Sequence, residues 1–406
     1  MITRRILLKR LAGLPVVGGL FGSGFLIQHQ SLAGPVCRDF FKELGVRTFI
    51  NAAGTYTAMT GSLMLPEVVE AIHYASGDFV NLDELQDKVG ARLAELLHCE
   101  AATVTSGAAS AITLGTAGIL TGMDEEKIIQ LPVLTGMKNE VIIQKKHRIV
   151  YDHAIRNCGV KLVEVETRQD LEKAINKNTA MMWFLNANNF IGQIRHEEFI
   201  EVAKNYNIPT FNDAAADVPP VENLWKYTGM GFDLVAFSGG KGLRGPQSAG
   251  LLIGKKDYIQ AARMHAAPRG NTIGRGMKVN KEEILGMLVA IEYYLNNNHE
   301  QDWVLWEKQI KTIHDAAASV PHVKAEVHVP EIANHVPSLR ITWDQEKIPL
   351  KGGEIREKLR WGHPSIETVG GDDSIGITTW MLRPGQERIV AARLKEVLSV
   401  TGSEQG

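Results

Sequence analysis

What most restricts the fold of this chain is a series of short, largely apolar runs set between helical patterns. The runs lie at 101–104, 140–143, 161–165, 180–184, 209–212, 234–237 and 249–253. A strand wetted on one side alternates apolar and polar residues, whereas a run apolar throughout belongs to a sheet covered on both faces. With helices between the runs, the expectation is an α/β domain built on a mainly parallel, seven-stranded type of sheet. Leu82, Leu85, Val89, Leu93, Leu96 and Leu97 repeat at helical spacing, and 108–120 reads as a small-residue helix packed closely against its neighbours. A long helix at 282–295 leaves this domain. Beyond about residue 320, strand patterns at 323–329, 338–343 and 374–379 mix with helices at 353–360 and 386–398, as in a smaller α+β domain. The expected layout is an N-terminal segment at 35–50, a large domain at 51–285, linking helices at 286–319 and a small C-terminal domain at 320–406.

The first residues have the layout of an address. Thr3-Arg4-Arg5-Ile6-Leu7-Leu8-Lys9 precedes an uncharged run at 11–27 that holds five glycines and one proline. A basic start, an apolar middle and small residues at Ala33-Gly34 describe an export signal of the twin-arginine (Tat) type over 1–34, and hence a periplasmic or otherwise exported protein handled by the Tat machinery. A single membrane anchor through 11–27 is the alternative, for which the run is short and weakly apolar. The balance of 44 Lys+Arg against 46 Asp+Glu offers no basic excess for a nucleic-acid partner. Cys37, Cys99 and Cys158 are scattered, so neither a metal site nor a disulfide framework is expected.

Three segments carry the chemistry. In Thr105-Ser106-Gly107-Ala108-Ala109-Ser110 a strand passes into a helix, whose free N–H groups and dipole favour an anion; a plain tight turn is the alternative. In Pro209-Thr210-Phe211-Asn212-Asp213-Ala214 a strand ends on a carboxylate, at the sheet edge where α/β proteins bind ligands. Such a group, shielded from water, stays ionised beside a cation such as a protonated ring nitrogen; otherwise Asp213 is a helix cap. In Phe237-Ser238-Gly239-Gly240-Lys241-Gly242 a lysine stands among glycines at a strand end, where burial lowers its pKa and leaves an amine able to condense with an aldehyde. A Walker-type phosphate loop does not fit, because the spacing and the following Ser/Thr are missing. A phosphate cradle, a carboxylate for a ring nitrogen and an amine for an aldehyde together point to pyridoxal 5'-phosphate (PLP), with Asp213 28 residues before Lys241.

These segments, with Asn81-Leu82-Asp83-Glu84-Leu85-Gln86 and Ile273-Gly274-Arg275-Gly276-Met277-Lys278, resemble the bacterial selenocysteine synthase (SelA)-like group of fold-type I PLP enzymes, and within it the D-glucosaminate-6-phosphate ammonia-lyase branch. The resemblance spans roughly residues 45–400. It implies that Lys241 holds the cofactor and moves protons, that Asp213 pairs with the ring nitrogen, and that Ser106, Gly107, Ala108 and Ser238 hold the phosphate. It further implies a ring stacked on the cofactor, for which Tyr151 and His153 are candidates and His153 is favoured. Arg275, Arg340 and Arg383 are candidates for a substrate carboxylate or a phosphate, because a planar guanidinium binds oxyanions bidentately. Asn186, Asn188 and Asn189 follow the strand ending at Leu185, where active-site loops of such a sheet lie. The resemblance implies a homodimer or larger assembly. A signal stands where selenocysteine synthases carry a further N-terminal domain, which argues against a tRNA-dependent role. The expected activity is that of a carbon–nitrogen lyase releasing ammonia from a small amino acid or amino sugar acid. A racemase, an aminotransferase and a PLP-fold binding protein without turnover are the alternatives.

Overall fold

The computed structural model describes residues 38–399; the export signal expected at 1–34, and Cys37, lie outside the described residues. Two compact units divide at Thr48–Phe49. In the first, a single-turn helix at Phe40–Glu43 is capped by Asp39, whose carboxylate accepts from the Lys42 N–H at 3.0 Å.

In the second, twelve strands form three sheets among the described residues: β1 (Ile50–Asn51), β2 (Ala101–Thr105), β3 (Glu140–Gln144), β4 (Lys161–Val165), β5 (Thr179–Leu185), β6 (Thr210–Asp213), β7 (Leu234–Ser238), β8 (Gly250–Gly254), β9 (Val323–His328), β10 (Ser338–Trp343), β11 (Ile366–Glu367) and β12 (Ser374–Thr378). The main sheet has the order β2-β8-β7-β6-β5-β3-β4, with β8 antiparallel to both of its neighbours and the remaining pairs parallel. The expected α/β sheet is therefore present, with one reversed strand. Its apolar runs have a direct cause. Met182 and Phe184 of β5 enter the core on one face, and Met181, Trp183 and Leu185 enter the core on the other, so no position of this strand can be polar without a partner.

At the sheet's outer edge the helix Leu82–Leu96 lies along β2. The Gln86 amide donates to the Val104 carbonyl at 2.8 Å and accepts from the Val104 N–H at 3.3 Å. One turn on, Gly90 approaches so closely that an added Cβ would stand 2.4 Å from the Ala102 carbonyl oxygen.

The smaller core gathers the antiparallel sheet β12-β10-β9 and the helices His299–Ala318, Gly352–Arg360 and Gln386–Leu398. Ile50 and Ala52 are buried in this core, and β1 pairs in parallel with β11. Two-residue strands leave no periodicity in a sequence, so this early return of the chain to the C-terminal core was not foreseen. The helix Lys281–Asn296 opens with a capping box of Asn280 and Glu283.

Candidate active site

The strand register brings the three chemistry-bearing segments to one edge. Thr105 and Ser238 both pair with Gly250, and Asp213 pairs with Ala236. The carboxyl ends of β2, β6 and β7 thus lie side by side, with the start of β8 between β2 and β7. Gly250 is obligatory there, since a Cβ would come within 2.3 Å of the Gly107 carbonyl carbon. That contact seats the helix Gly107–Thr121 against the sheet, with Gly107 itself at φ +84°. The first N–H groups of the helix have no partner within it, and Ser106 Oγ lies 2.9 Å from Ser110 Oγ. Ser106, Gly107, Ala108 and Ser238 are all half-buried.

Beyond Ser238 the chain turns sharply through Gly239-Gly240-Lys241-Gly242. The Gly240 carbonyl accepts from the Ser62 N–H at 2.9 Å, and the Lys241 carbonyl accepts from the Arg244 N–H at 3.0 Å. A Cβ on Gly242 would stand 2.1 Å from the Val218 carbonyl oxygen. The lysine loop is therefore pressed onto the segment that follows Asp213.

Asp213 is 5% exposed, and burial raises its pKa; the Ala215 N–H, at 3.1 Å, and the Lys241 charge oppose the rise. Burial lowers the pKa of Lys241, against the attraction of Asp213 and Asp217. Asp217 is a third ionisable group, absent from the sequence-based expectation. It is 1% exposed, and burial pushes its carboxyl up to about 7, with repulsion from Asp213 adding to the rise. The Asn186 amide, the Ala333 N–H at 3.0 Å and Lys241 act the other way. Beside this bond the Asn334 N–H donates to the Ala216 carbonyl at 2.7 Å, so the β9–β10 connection is tied to the Asp213–Asp217 segment.

Asn186 follows β5 and is fully buried. Its Nδ2 donates to Tyr227 Oη at 2.7 Å, and its Oδ1 accepts from His196 Nε2 at 2.6 Å. His147 supports the same turn: Nδ1 accepts from the Leu185 N–H at 3.1 Å, and Nε2 donates to the Asn188 carbonyl at 3.2 Å. Burial holds both imidazoles at about 4, hence neutral.

These residues fit PLP. Among the described residues the only hydrogen bond to the Asp213 side chain comes from the Ala215 N–H, which leaves the carboxylate the acceptor capacity that a ring N–H requires. A lysine of lowered pKa and a helix start without a side-chain cap share its sheet edge. The other expected residues are placed less centrally. His153 is exposed at the start of a short helix, next to Ala154, whose carbonyl accepts from Thr113 Oγ1 at 2.7 Å; Tyr151 is 65% exposed. Asn188 and Asn189 continue the Asn186 turn. Arg275 is exposed, on the segment after the Ala266–Gly274 bridge. Arg340 lies on the side of β10 away from the small core, 3.9 Å from Asp373. Arg383 lines a cavity of about 250 Å³ together with Gly242, Leu243 and Arg244.

Comparison with known proteins finds relatives over most of the chain. The chain is 28% identical to the D-glucosaminate-6-phosphate ammonia lyase of Salmonella typhimurium, over 88% of this chain and 98% of the relative. It is 26% identical to a 5'-C-glycyluridine monooxygenase-decarboxylase of a Streptomyces species, over 88% and 92% of the two chains. The solved structure of a D-glucosaminate-6-phosphate ammonia-lyase superposes with a TM-score of 0.77 at 26% identity, covering 89% of this chain and 98% of that one. The architecture is that of fold-type I PLP enzymes. The family model described as L-seryl-tRNA selenium transferase matches residues 49–328, and with the site at the strand ends this places the chain in the SelA family.

Proposed function

We propose that this protein is a PLP-dependent lyase that releases ammonia from a small amino acid or amino sugar acid. The observation that carries the reading is the half-buried Lys241 within the electrostatic reach of the buried Asp213, at the edge where the helix Gly107–Thr121 begins. PLP, when bound, supplies an aldehyde for the substrate amine and a ring that stabilises negative charge at the adjacent carbon. The Ser106–Ala108 turn and Ser238 hold the phosphate. Asp213, whose pKa burial raises in the absence of a partner, returns to the anion beside a protonated ring nitrogen and keeps that proton in place. Lys241, its charge disfavoured by burial, takes the proton from the substrate carbon and can return it elsewhere. Loss of a β-substituent followed by hydrolysis then gives ammonia and a 2-oxo acid.

The match to an ammonia lyase supports elimination over racemisation or transamination. The formal charge of -2 speaks against a tRNA substrate. Export by the Tat route rests on the layout of residues 3–34, and a homodimer is supported by the exposed Tyr74, Phe79 and Val80. Lys241→Ala should abolish the visible absorbance of the PLP-loaded protein and lower ammonia release by on the order of 10²–10⁴-fold. An unchanged spectrum in that variant refutes the assignment of the lysine.

A further inference from the structure

The cavity beside the lysine loop, which Arg383 lines, gathers further polar groups outside the Asp213–Lys241 site. Pro219 and Gly242–Arg244 form one wall, the junction of the helices Lys281–Asn296 and His299–Ala318 a second, and Trp380–Pro384 a third. Arg244 reaches it from a left-handed backbone, φ +52°, which is costly for a residue with a side chain. Its guanidinium is half-buried, its Nε donates to the Leu63 carbonyl at 3.1 Å, and among the described residues it has no ion-pair partner. Burial works against its charge, with Asp302 compensating only from a distance. Arg383, on the facing wall, is likewise without an ion pair among the described residues. Asp302, the one carboxylate lining the cavity, accepts from Asn297 Nδ2 at 2.6 Å. Two further groups of the lining, His299 Nε2 and Trp380 Nε1, are buried without a hydrogen-bond partner. Unpartnered buried polar groups are rare in folded proteins, because each forfeits its hydration. Here two of them share a cavity with two unpaired arginines.

We infer that this cavity is an oxyanion pocket in which Arg244 and Arg383 grip an acidic group of the substrate. The identity of the molecule as a substrate rests on the lyase reading; the pocket does not. A volume of about 250 Å³ equals roughly eight waters, enough for a carboxylate or a phosphate with a short carbon chain. Two guanidiniums against one engaged carboxylate select an anion, and the walls of Trp306 and Trp380 suit its carbon skeleton. The substrate class is thus an amine that also carries an oxyanion, with Gly242, the chain neighbour of Lys241, in the wall of the pocket that holds it.

Trp306 and Trp380 line the cavity, so occupancy can be read from tryptophan fluorescence and calorimetry without turnover. The PLP-treated protein is titrated separately with succinate and with inorganic phosphate, and the visible spectrum is recorded on the same samples. Saturable binding that weakens about tenfold or more in both Arg244→Met and Arg383→Met, with partial recovery in Arg383→Lys, is the expected result. Tighter succinate identifies a carboxylate pocket, and tighter phosphate a phosphate pocket. Equal affinity in wild type and Arg383→Met, or no binding of either probe, overturns the inference; Arg383 is exposed, so its variant remains informative if Arg244→Met does not fold. Oxyanion binding without a visible band refutes the PLP reading alone, and a band without oxyanion binding refutes the pocket alone.

Discussion

Replacing Asp217 by Asn should change how stability depends on pH, with a sign opposite to that of ordinary surface carboxylates. In the fold burial pushes its carboxyl up to about 7, against an ordinary 3.8 in the open chain. Between these values the folded state holds a proton that the unfolded state has lost, so stability falls as pH rises. With one pKa unit equal to about 1.36 kcal/mol, the whole displacement corresponds to about 4 kcal/mol, of which roughly 2–3 kcal/mol is lost between pH 5 and pH 8. Asn has nearly the same shape, can still accept from the Ala333 N–H and does not ionise. Urea unfolding of the apoprotein and of Asp217→Asn should therefore show curves that diverge from pH 5 to pH 8, the wild type declining more steeply. Parallel curves over that range would refute the argument that Asp217 is a buried carboxyl paying for its ionisation.

The buried histidines should act the other way. His147, His196 and His265 are each held at about 4 by burial, so the unfolded chain binds the extra protons and stability is lost as pH falls from 6.5 towards 4, by about 3 kcal/mol for each ring. His265→Gln, which leaves Thr121 Oγ1 a partner, should make the acid limb of the stability curve shallower, and an unchanged limb counts against this origin. Gly242→Ala should displace the lysine loop and weaken PLP binding by about tenfold or more, followed by a visible-absorbance titration, because its Cβ would meet the Val218 carbonyl oxygen at 2.1 Å. Gly229→Ala is the control, since nothing lies within 4 Å of its Cβ; equal losses in both variants would point to general instability.

What was legible in the sequence follows from how local the signal is. The apolar runs gave the strands of the main sheet to within a residue or two, and the pattern of 386–398 coincides with the helix Gln386–Leu398. Asp213, Lys241 and Ser106–Ala108 could be read because each stands where an apolar run stops, and the end of a buried strand is a poor place for a charge or a glycine cluster without a purpose. Asp217 lay four residues past Asp213, before Val218-Pro219-Pro220, but nothing local says that this stretch is buried. The Asn186–His196–Tyr227 cluster joins three separate elements, and Arg244 acquires meaning only when the C-terminal residues 380–384 close over it. Such groups share no spacing; the tertiary fold alone makes them neighbours.

The contact of the helix Leu82–Leu96 with β2 also bears on solubility. β2 is a border strand of the main sheet, and a border strand normally offers its free N–H and C=O groups to any extended chain that drifts by. Here the two positions that face outward are already engaged, Val104 by the Gln86 amide and Ala102 by the close approach of Gly90. The helix covers this border, so no further strand can pair there. The sheet therefore resists edge-to-edge growth on the side where the helix Gly107–Thr121 begins, and that protection hangs on one amide side chain and one missing methyl group.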